Sequence, residues 1–502
     1  MPENTIKVLK EKGLYYFKAN EYAEAAKYLK IAAEQGDADA QYSMGILYKN
    51  GLGVAQNYIE AAKYYYLAAK QGHAISLNNL GIMYKLGQGV KQGYNEAFKC
   101  FSLAAKQGNA YALYNVGLLY YEGQGVPQDY NEAIKFFKLA ADQGDIDAQF
   151  NLGALYYNGE HVKQDFNESI KYFKLAAEQG DVVAQNKLGI IYSIGRVVKQ
   201  DFNESVKYFK FAADRGYAEA QFNLGIAYKL GEGVPQDNKR SMEYLQLAAE
   251  QGHADAQYYL GFMYRVGSAV PQNYSEAIKY FQLAAVQGQV EALFNLACIY
   301  NNGEGVAQDY EEAIKYFKLA AEQGHSRAQY NLGRIYEKGR GVEQDYSEAE
   351  KYYQLAAEQG NALAQCNLGV LYDNGQGVEQ DYNKALKYYH LAAKQGNYCA
   401  QYNIGLMYYN GQGVEQDYNE AKKYFRLAAE KGYADDQYYL EIINKKGLGV
   451  SNDYDETAKN SILATDNDEV EALYELGNTY YFGDGVSQDF KEASKYFRLA
   501  AE

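Results

Sequence analysis

Apolar and small residues recur at spacings of three and four in two separate stretches of a unit that repeats along the chain. In residues 37–72 this spacing covers Ala38–Asn50 and then Tyr58–Gln71, with a glycine-containing loop from Gly51 to Val54 between them. The spacing is that of helices with one buried face, so it predicts two helices per unit and no β-sheet. Gly72 follows the second helix and is expected to end it in the left-handed conformation.

The unit has a strict period of 36 residues. Glycine stands at every multiple of that period along most of the chain, at Gly36, Gly72, Gly108, Gly144, Gly180, Gly216, Gly252, Gly288, Gly324, Gly360, Gly396 and Gly432. A fixed period of this length is typical of stacked supersecondary units, each of which buries its apolar face only against its neighbours. Such units account for nearly all of the 502 residues. We therefore expect no separate catalytic domain.

The period divides the chain into an N-terminal capping hairpin at 1–36 and thirteen further repeats. The first hairpin has no glycine loop. The others span 37–72, 73–108, 109–144, 145–180, 181–216, 217–252, 253–288, 289–324, 325–360, 361–396, 397–432, 433–468 and 469–502. Repeat 433–468 has lost several core residues, since Glu441 replaces the glycine within the first helix. We expect this repeat to open first.

Two recurrent motifs are explained by architecture. Asp or Asn followed three residues later by Glu, as in Asp129 with Glu132, predicts a capping box at the start of the second helix. The loop motif G-x-G-V-x-Q resembles a phosphate-binding loop only in its glycines, because it lacks the third glycine and the βαβ context. We predict no nucleotide, cofactor or metal site here.

Amino-acid composition limits the classes of partner that this chain is expected to bind. The formal net charge is −15 and the chain contains 56 Tyr but no Trp. An acidic chain is a poor general binder of nucleic acid, so protein or peptide partners are favoured. The chain has no apolar run long enough to span a membrane and no recognisable signal peptide. We expect a cytoplasmic monomer, with secretion as an effector without such a signal as the alternative.

Few residues suit catalysis. Cys100, Cys298, Cys366 and Cys399 fall at four different repeat positions and are expected to be small buried hydrophobes. The five histidines show no metal-binding spacing, and three of them stand at the first position of a repeat, where a polar residue that begins a helix is sufficient explanation.

The run Ala148-Gln149-Phe150-Asn151-Leu152-Gly153, followed by Leu155-Tyr156-Tyr157 and by GxGVxQDYxEAxKYFKLAAxQG as in Gly123 to Gly144, resembles the Sel-1-like repeat family, a relative of tetratricopeptide repeats. The resemblance covers residues 37–502. It implies an all-α, right-handed superhelical solenoid of fourteen helical hairpins. It also implies a non-enzymatic scaffold or adaptor that binds partner segments in a concave groove, in signalling, complex assembly or host-cell interaction.

Two alternatives to a free-standing scaffold are open. The first alternative is a hydrolase of the β-lactamase type, because some members of this family with cysteine pairs in each repeat are known as β-lactamases or penicillin-binding proteins. The cysteine pairs and the S-x-x-K and G-x-S-x-G motifs of serine acyl-enzymes are absent from this sequence. The chain is alternatively the repeat region of a larger multidomain protein.

The resemblance places the first helix of each hairpin along the concave groove, where we expect two columns to bind a partner. The aromatic column consists of Tyr114, Phe150, Phe222, Tyr258, Phe294, Tyr330 and Tyr402. The asparagine column consists of Asn79, Asn115, Asn151, Asn223, Asn295, Asn331, Asn367 and Asn403. Amide side chains offer both a donor and an acceptor to an extended peptide backbone. The alternative is that these residues brace neighbouring helices.

One repeat stands out by its positive charge. Arg327 and Arg334 lie seven residues apart and so share one face of a helix. They are candidates to bind an acidic segment. The alternative is that they belong to a solvated charged face.

Overall fold

The structure, a computed structural model, describes residues 3–429, 439–440 and 442–443. The regular secondary structure within these residues is entirely α-helical, as predicted. Repeat 469–502 and all but four residues of repeat 433–468 lie outside this part of the chain. The expectation that repeat 433–468 opens first therefore also lies outside the described residues.

The chain divides into two compact units at the boundary between Gln251 and Gly252. The first unit contains α1 Glu3–Lys18, α2 Tyr22–Glu34, α3 Ala38–Asn50, α4 Tyr58–Lys70, α5 Ala74–Leu86, α6 Tyr94–Ala105, α7 Ala110–Glu122, α8 Tyr130–Asp142, α9 Ile146–Asn158, α10 Phe166–Glu178, α11 Val182–Ile194, α12 Phe202–Ala213, α13 Ala218–Leu230 and α14 Asn238–Glu250. The described part of the second contains α15 Ala254–Val266, α16 Tyr274–Val286, α17 Val290–Asn302, α18 Tyr310–Glu322, α19 Ser326–Lys338, α20 Tyr346–Glu358, α21 Ala362–Asn374, α22 Tyr382–Ala393, α23 Tyr398–Asn410 and α24 Tyr418–Ala429.

Consecutive helices form antiparallel hairpins, and within each unit the second helix of one hairpin packs on the first helix of the next. The helix limits match the sequence pattern closely, since α3 has the predicted bounds and α4 is one residue shorter than expected. The glycines that follow these helices, Gly51 and Gly72, have φ of 68° and 82°. Both helices are thus followed by a left-handed glycine, as the sequence indicates.

The predicted capping box forms only in part. Asp129 Oδ1 accepts hydrogen bonds from the backbone N–H groups of Asn131 and Glu132, at 2.9 and 3.1 Å, as an N-cap should. The backbone N–H of Asp129 donates instead to the carbonyl of Tyr120 at 3.0 Å. Glu132 forms an ion pair with Lys135 at 3.0 Å. The capping-box prediction is wrong in one respect: the Glu132 carboxylate does not accept a hydrogen bond from the backbone N–H of Asp129, because that N–H already donates to the preceding helix.

In every described hairpin except that of repeat 289–324, which has Ala297, the core depends on a glycine inside the first helix. A Cβ placed on Gly81 would lie 2.6 Å from Cε1 of Phe101, a fully buried ring of the second helix. The glycine costs helix propensity of about 1 kcal/mol, and the close approach of this ring offsets that cost. The expectation that a Cβ would not fit there is confirmed.

The loop motif joins each repeat to the one before it. A Cβ on Gly89 would lie 2.1 Å from the carbonyl oxygen of Tyr58, at the start of α4 in the preceding repeat. Gln92 Nε2 donates to the Lys85 carbonyl at 2.9 Å and so holds the loop on the end of α5. These contacts explain the second glycine and the glutamine of G-x-G-V-x-Q without any bound phosphate.

Candidate functional site

We number positions within a repeat from its first residue, so that Asp37 is position 1 of repeat 37–72, and name the first and second helices of a hairpin A and B. Positions 3, 7, 10 and 14 lie on one side of the A helix, with position 6 beside them. These five positions make up the A-helix face. It carries several exposed apolar side chains, including Ile75 at 45%, Leu86 at 56% and Tyr111 at 66% exposure.

The aromatic column lies at position 6 and is partly packed. Tyr114, Phe150 and Tyr330 lie with their ring centroids 5.6, 5.6 and 5.9 Å from those of Phe137, Phe173 and Tyr353 on the B helix of the same hairpin. Phe294 is buried against Phe317, whereas Phe222, Tyr258 and Tyr402 are half-buried. The column therefore presents ring edges and partial faces to solvent, and the rest of each ring contributes to hairpin packing.

The asparagine column lies at position 7, and its amide N–H groups are largely used within the chain. Asn115, Asn151 and Asn223 each donate from Nδ2 to position 6 of the preceding A helix, at 2.8 to 3.0 Å. Asn367 donates to the Tyr353 hydroxyl at 2.9 Å, and Asn331 donates to a carbonyl of its own helix. Asn79 and Asn403 are half-buried. The amides thus link neighbouring repeats as well as lining the A-helix face.

Asn295 belongs to a charged cluster that sequence reasoning missed. Arg265 donates from Nε and Nη2 to the two carboxylate oxygens of Glu304, at 2.9 and 3.0 Å, and from Nη1 to Asn295 Oδ1 at 2.6 Å. We call these three residues the arginine clamp. Each side chain of the ion pair is only 22% exposed.

The electrostatics of the clamp favour the ionised forms. Burial alone would lower the pKa of Arg265, but the hydrogen bonds and the negative charge of Glu304 outweigh burial and raise it. Burial would likewise raise the pKa of Glu304, and hydrogen bonds from Arg265 and Asn302 reverse the direction and lower it. The clamp is therefore a bidentate, charge-assisted pair, the geometry in which guanidinium groups bind carboxylates most strongly.

Each of the two candidate arginines lies against an aromatic ring. Arg327 is exposed and its guanidinium carbon lies 4.4 Å from the ring centroid of Phe294, while that of Arg334 lies 6.0 Å from Tyr330. Neither guanidinium has an ion pair among the described residues. Both therefore keep hydrogen-bonding capacity on the A-helix face.

Glutamines at positions 5 and 35 form a second network that sequence reasoning missed. Gln149 is buried and donates to the Ala141 carbonyl of the preceding repeat at 3.1 Å, while its Oε1 accepts from Gln179 at 2.8 Å. The same pairing recurs, for example between Gln329 and Gln359 at 2.7 Å. The signal available in the sequence was a polar residue at a fixed position inside a run of core residues.

A cavity of about 280 Å³ opens between both helices of repeat 181–216, α11 and α12, and the A helix of repeat 217–252, α13. Its apolar lining includes Ile190, Phe209 and Ile226, and its polar lining includes Asn223 and Glu232. Ala227 also lines it, at position 11, where the other described repeats from 37 onward have Leu, Ile or Met.

The B helices carry an exposed stripe at position 31, which sequence reasoning also missed. Its members include Leu103 at 52% exposure and Leu139 at 43%. This B-helix stripe is the second surface on which apolar residues recur with the repeat period.

Chemistry typical of enzymes has little support within the described residues. They contain no group of three or more His, Cys, Asp or Glu residues placed to hold a metal ion. Burial raises the pKa of Cys100 and Cys298 to about 11 and that of Cys366 to about 12, so these thiols are poor nucleophiles at neutral pH.

The helix-capping role expected of three histidines is confirmed. His73, His253 and His325 accept backbone hydrogen bonds through Nδ1 as N-caps. None of the described helices is long and apolar enough to cross a membrane.

Stacked helical hairpins with a glycine-containing loop between A and B helices define a class of tetratricopeptide-like repeat solenoids. The family model for the Sel1 repeat matches residues 8–37, 38–73, 74–109, 110–145, 146–181, 182–217, 218–253, 254–289, 290–325, 326–361, 362–397, 400–433 and 470–502. The chain therefore belongs to the Sel1 repeat family.

Solved structures agree with this assignment. A protective antigen of uropathogenic Escherichia coli that displays an SLR fold is 32% identical, with a TM-score of 0.76 over 93% of this chain and 97% of that one. A Sel1 repeat protein from Oxalobacter formigenes is 36% identical, with a TM-score of 0.51 over 60% of this chain and 87% of that one. No curated protein sequence matches the chain.

Proposed function

We propose that this protein is a non-enzymatic scaffold or adaptor that binds segments of partner proteins along its A-helix face. The observation that carries the proposal is the composition of that face. Exposed apolar residues, aromatic rings and amides recur on it with the repeat period. Exposed apolar patches rimmed by polar groups are typical of protein interaction sites.

Fold class supports the same proposal, because Sel1 and tetratricopeptide-like solenoids commonly bind proteins. The asparagine column contributes through its carbonyl oxygens, because many of its Nδ2 groups already donate within the chain. A partner therefore meets acceptors on this face more often than donors. Backbone N–H groups of an extended segment provide matching donors.

The test compares the two apolar surfaces with the same chemical change. After a partner has been identified by affinity capture and mass spectrometry, its affinity is measured for Ile75→Glu/Tyr111→Glu on the A-helix face and for Leu103→Glu/Leu139→Glu on the B-helix stripe. All four side chains are exposed, so folding should survive. We expect at least a tenfold loss for the first variant only. A loss confined to the second would place the partner on the B-helix stripe and refute the proposal.

Two further parts of the proposal have simple tests. A non-enzymatic protein should not hydrolyse nitrocefin, and steady turnover by pure protein would support the hydrolase alternative. We also propose a cytoplasmic location, which cell fractionation tests. The similar Escherichia coli protein is a protective antigen, so the culture medium is the second fraction to assay.

A further inference from the structure

The arginine clamp shows what the A helices of two consecutive repeats can bind. Arg265 is at position 13 of its repeat, and Asn295 and Glu304 are at positions 7 and 16 of the next. The carboxylate takes two guanidinium N–H groups and the amide oxygen takes a third. Three acceptor atoms are thus placed to match the planar fork of one arginine.

At the cavity between repeats 181–216 and 217–252, two of these three positions hold the same residue types as in the clamp. In repeat 217–252, position 7 is Asn223 and position 16 is Glu232. Position 13 of the preceding repeat, where the clamp has its arginine, is Ser193. The acceptors of a clamp are present here, and the arginine is missing.

The acceptors retain their capacity. Asn223 uses Nδ2 to donate to Asn186 Oδ1 at 3.0 Å, which leaves its own Oδ1 to accept. Glu232 is half-buried, and its backbone N–H donates to the Ala227 carbonyl at 3.1 Å. Its carboxylate has no hydrogen bond or ion pair among the described residues. A partly desolvated carboxylate without a cation is costly, so a cation that reaches it gains more than it would at the open surface.

The cavity offers room for a side chain beside these acceptors. Ser193, Asn223 and Glu232 all line the cavity of about 280 Å³. An apolar cavity of about 150 Å³ is enough to hold benzene, so a whole arginine side chain fits in the larger space. The walls formed by Ile190, Phe209 and Ile226 suit its methylene stem.

We propose that this cavity receives one arginine side chain from an extended segment of a protein partner. The guanidinium pairs with Glu232 and donates to Asn223 Oδ1, as Arg265 does with Glu304 and Asn295. The proposal rests on the proposed function, which it deepens by naming the anchoring residue. A net charge of −15 additionally favours a basic segment over an acidic one.

Arginine is favoured over the other candidates by the acceptors. A leucine or phenylalanine side chain would fill the apolar part but leave Glu232 covered and unpaired. Lysine would bring the charge without the planar fork that reaches two acceptor groups at once.

The first experiment measures binding of fluorescein-labelled nonapeptides to the full chain by fluorescence anisotropy. The peptides carry arginine, citrulline, lysine or leucine at the centre of one glycine–serine–alanine background. We expect the arginine peptide to bind at least tenfold more tightly than citrulline, since a charged hydrogen-bonded contact is lost. Glu232→Gln should remove this preference. Glu160→Gln is the matched control at position 16 of repeat 145–180, and it should leave the preference intact.

The second experiment supplies the arginine from the chain itself. Ser193→Arg should occupy the cavity and abolish binding of the arginine peptide, whereas Asn301→Arg, at position 13 of repeat 289–324 and away from the cavity, should leave it unchanged. Circular dichroism establishes that both variants fold.

Three results would overturn the inference: preference for the leucine peptide, equal binding of arginine and citrulline peptides, or binding of N-acetyl-arginine amide as tight as that of the peptide. If a captured partner responds to Ile75→Glu/Tyr111→Glu but not to Ser193→Arg, the inference fails and the proposed function stands. If it responds to neither, both fail.

Discussion

Replacing Ala227 with Leu should stabilise the protein locally. Position 11 of the A helix is a buried apolar residue in the other repeats from 37 onward where the structure describes it: Leu47, Met83, Leu119, Leu155, Ile191, Met263, Ile299, Ile335, Leu371, Met407 and Ile443. Ala227 is the exception and borders the cavity. The missing side chain is therefore one reason for the empty space, and Leu restores it.

The magnitude follows from three added carbon groups. Each is worth about 0.8 kcal/mol when buried, or roughly 2.4 kcal/mol together. Fixing a leucine side chain costs about 0.5 to 1 kcal/mol of rotamer freedom. We expect Ala227→Leu to gain about 1 to 2 kcal/mol. The reciprocal change Leu155→Ala creates a cavity at the same position of repeat 145–180, and should cost about 2 to 5 kcal/mol.

Hydrogen exchange is the appropriate assay because stability in a repeat array is local and its unfolding need not be two-state. A gain of 1.4 kcal/mol slows exchange through local opening about tenfold. Amides of α13 and α14 should slow in Ala227→Leu, and those of α3 and α4 should not change. Unchanged or faster exchange in α13 would show that the added side chain strains the helix packing instead of filling space, and would refute the reasoning.

Three other changes test single residues elsewhere in the chain. Gln149→Ala removes the hydrogen bonds to Ala141 and Gln179. The free energy of local opening in α8 and α9 should fall by about 2 to 4 kcal/mol, which is measured as faster amide exchange. Ala269 has φ of 69° at the second loop position, so Ala269→Gly should stabilise by about 0.5 to 1 kcal/mol, measured as the change in thermal midpoint. Glu304→Gln should cost about 1.5 to 3 kcal/mol by exchange in α17, whereas Asp237→Asn, beside an exposed arginine, should cost less than about 1 kcal/mol in α14.

Local features of the fold were predictable because they depend on residues close together in sequence. Helix bounds, terminal glycines and the N-cap at Asp129 all follow from spacing within one repeat. The return bond of Glu132 was not predictable, since the competing acceptor is the carbonyl of Tyr120 in the preceding helix. A capping motif indicates which donors and acceptors are available at the start of a helix. The packing of the hairpin determines which acceptor lies nearest to each donor.

For the candidate site, the sequence predicts which residues form the aromatic and asparagine columns, but not the hydrogen bonds that these residues make between repeats. Spacing places Asn223 on the A-helix face, but its bond to Asn186 joins residues 37 apart, in two successive repeats. The arginine clamp joins residues 30 and 39 apart. Such pairs can be found in the sequence when two successive repeats are aligned, because the two bonded residues are separated by one period, plus or minus a few positions.

Repetition also limits where a specific site can form. A side chain that recurs at each interface has usually been satisfied by its equally recurrent neighbour, as Gln149 is by Gln179. Such residues have little bonding capacity left for a partner, whatever their regularity suggests. A repeat that departs from the pattern can leave an acceptor unpaired or a space unfilled, and both occur at the cavity, which is bordered by Ala227 and by the carboxylate of Glu232. Recognition by this array should therefore be anchored at its irregular positions, with the regular columns contributing affinity that is tolerant of sequence.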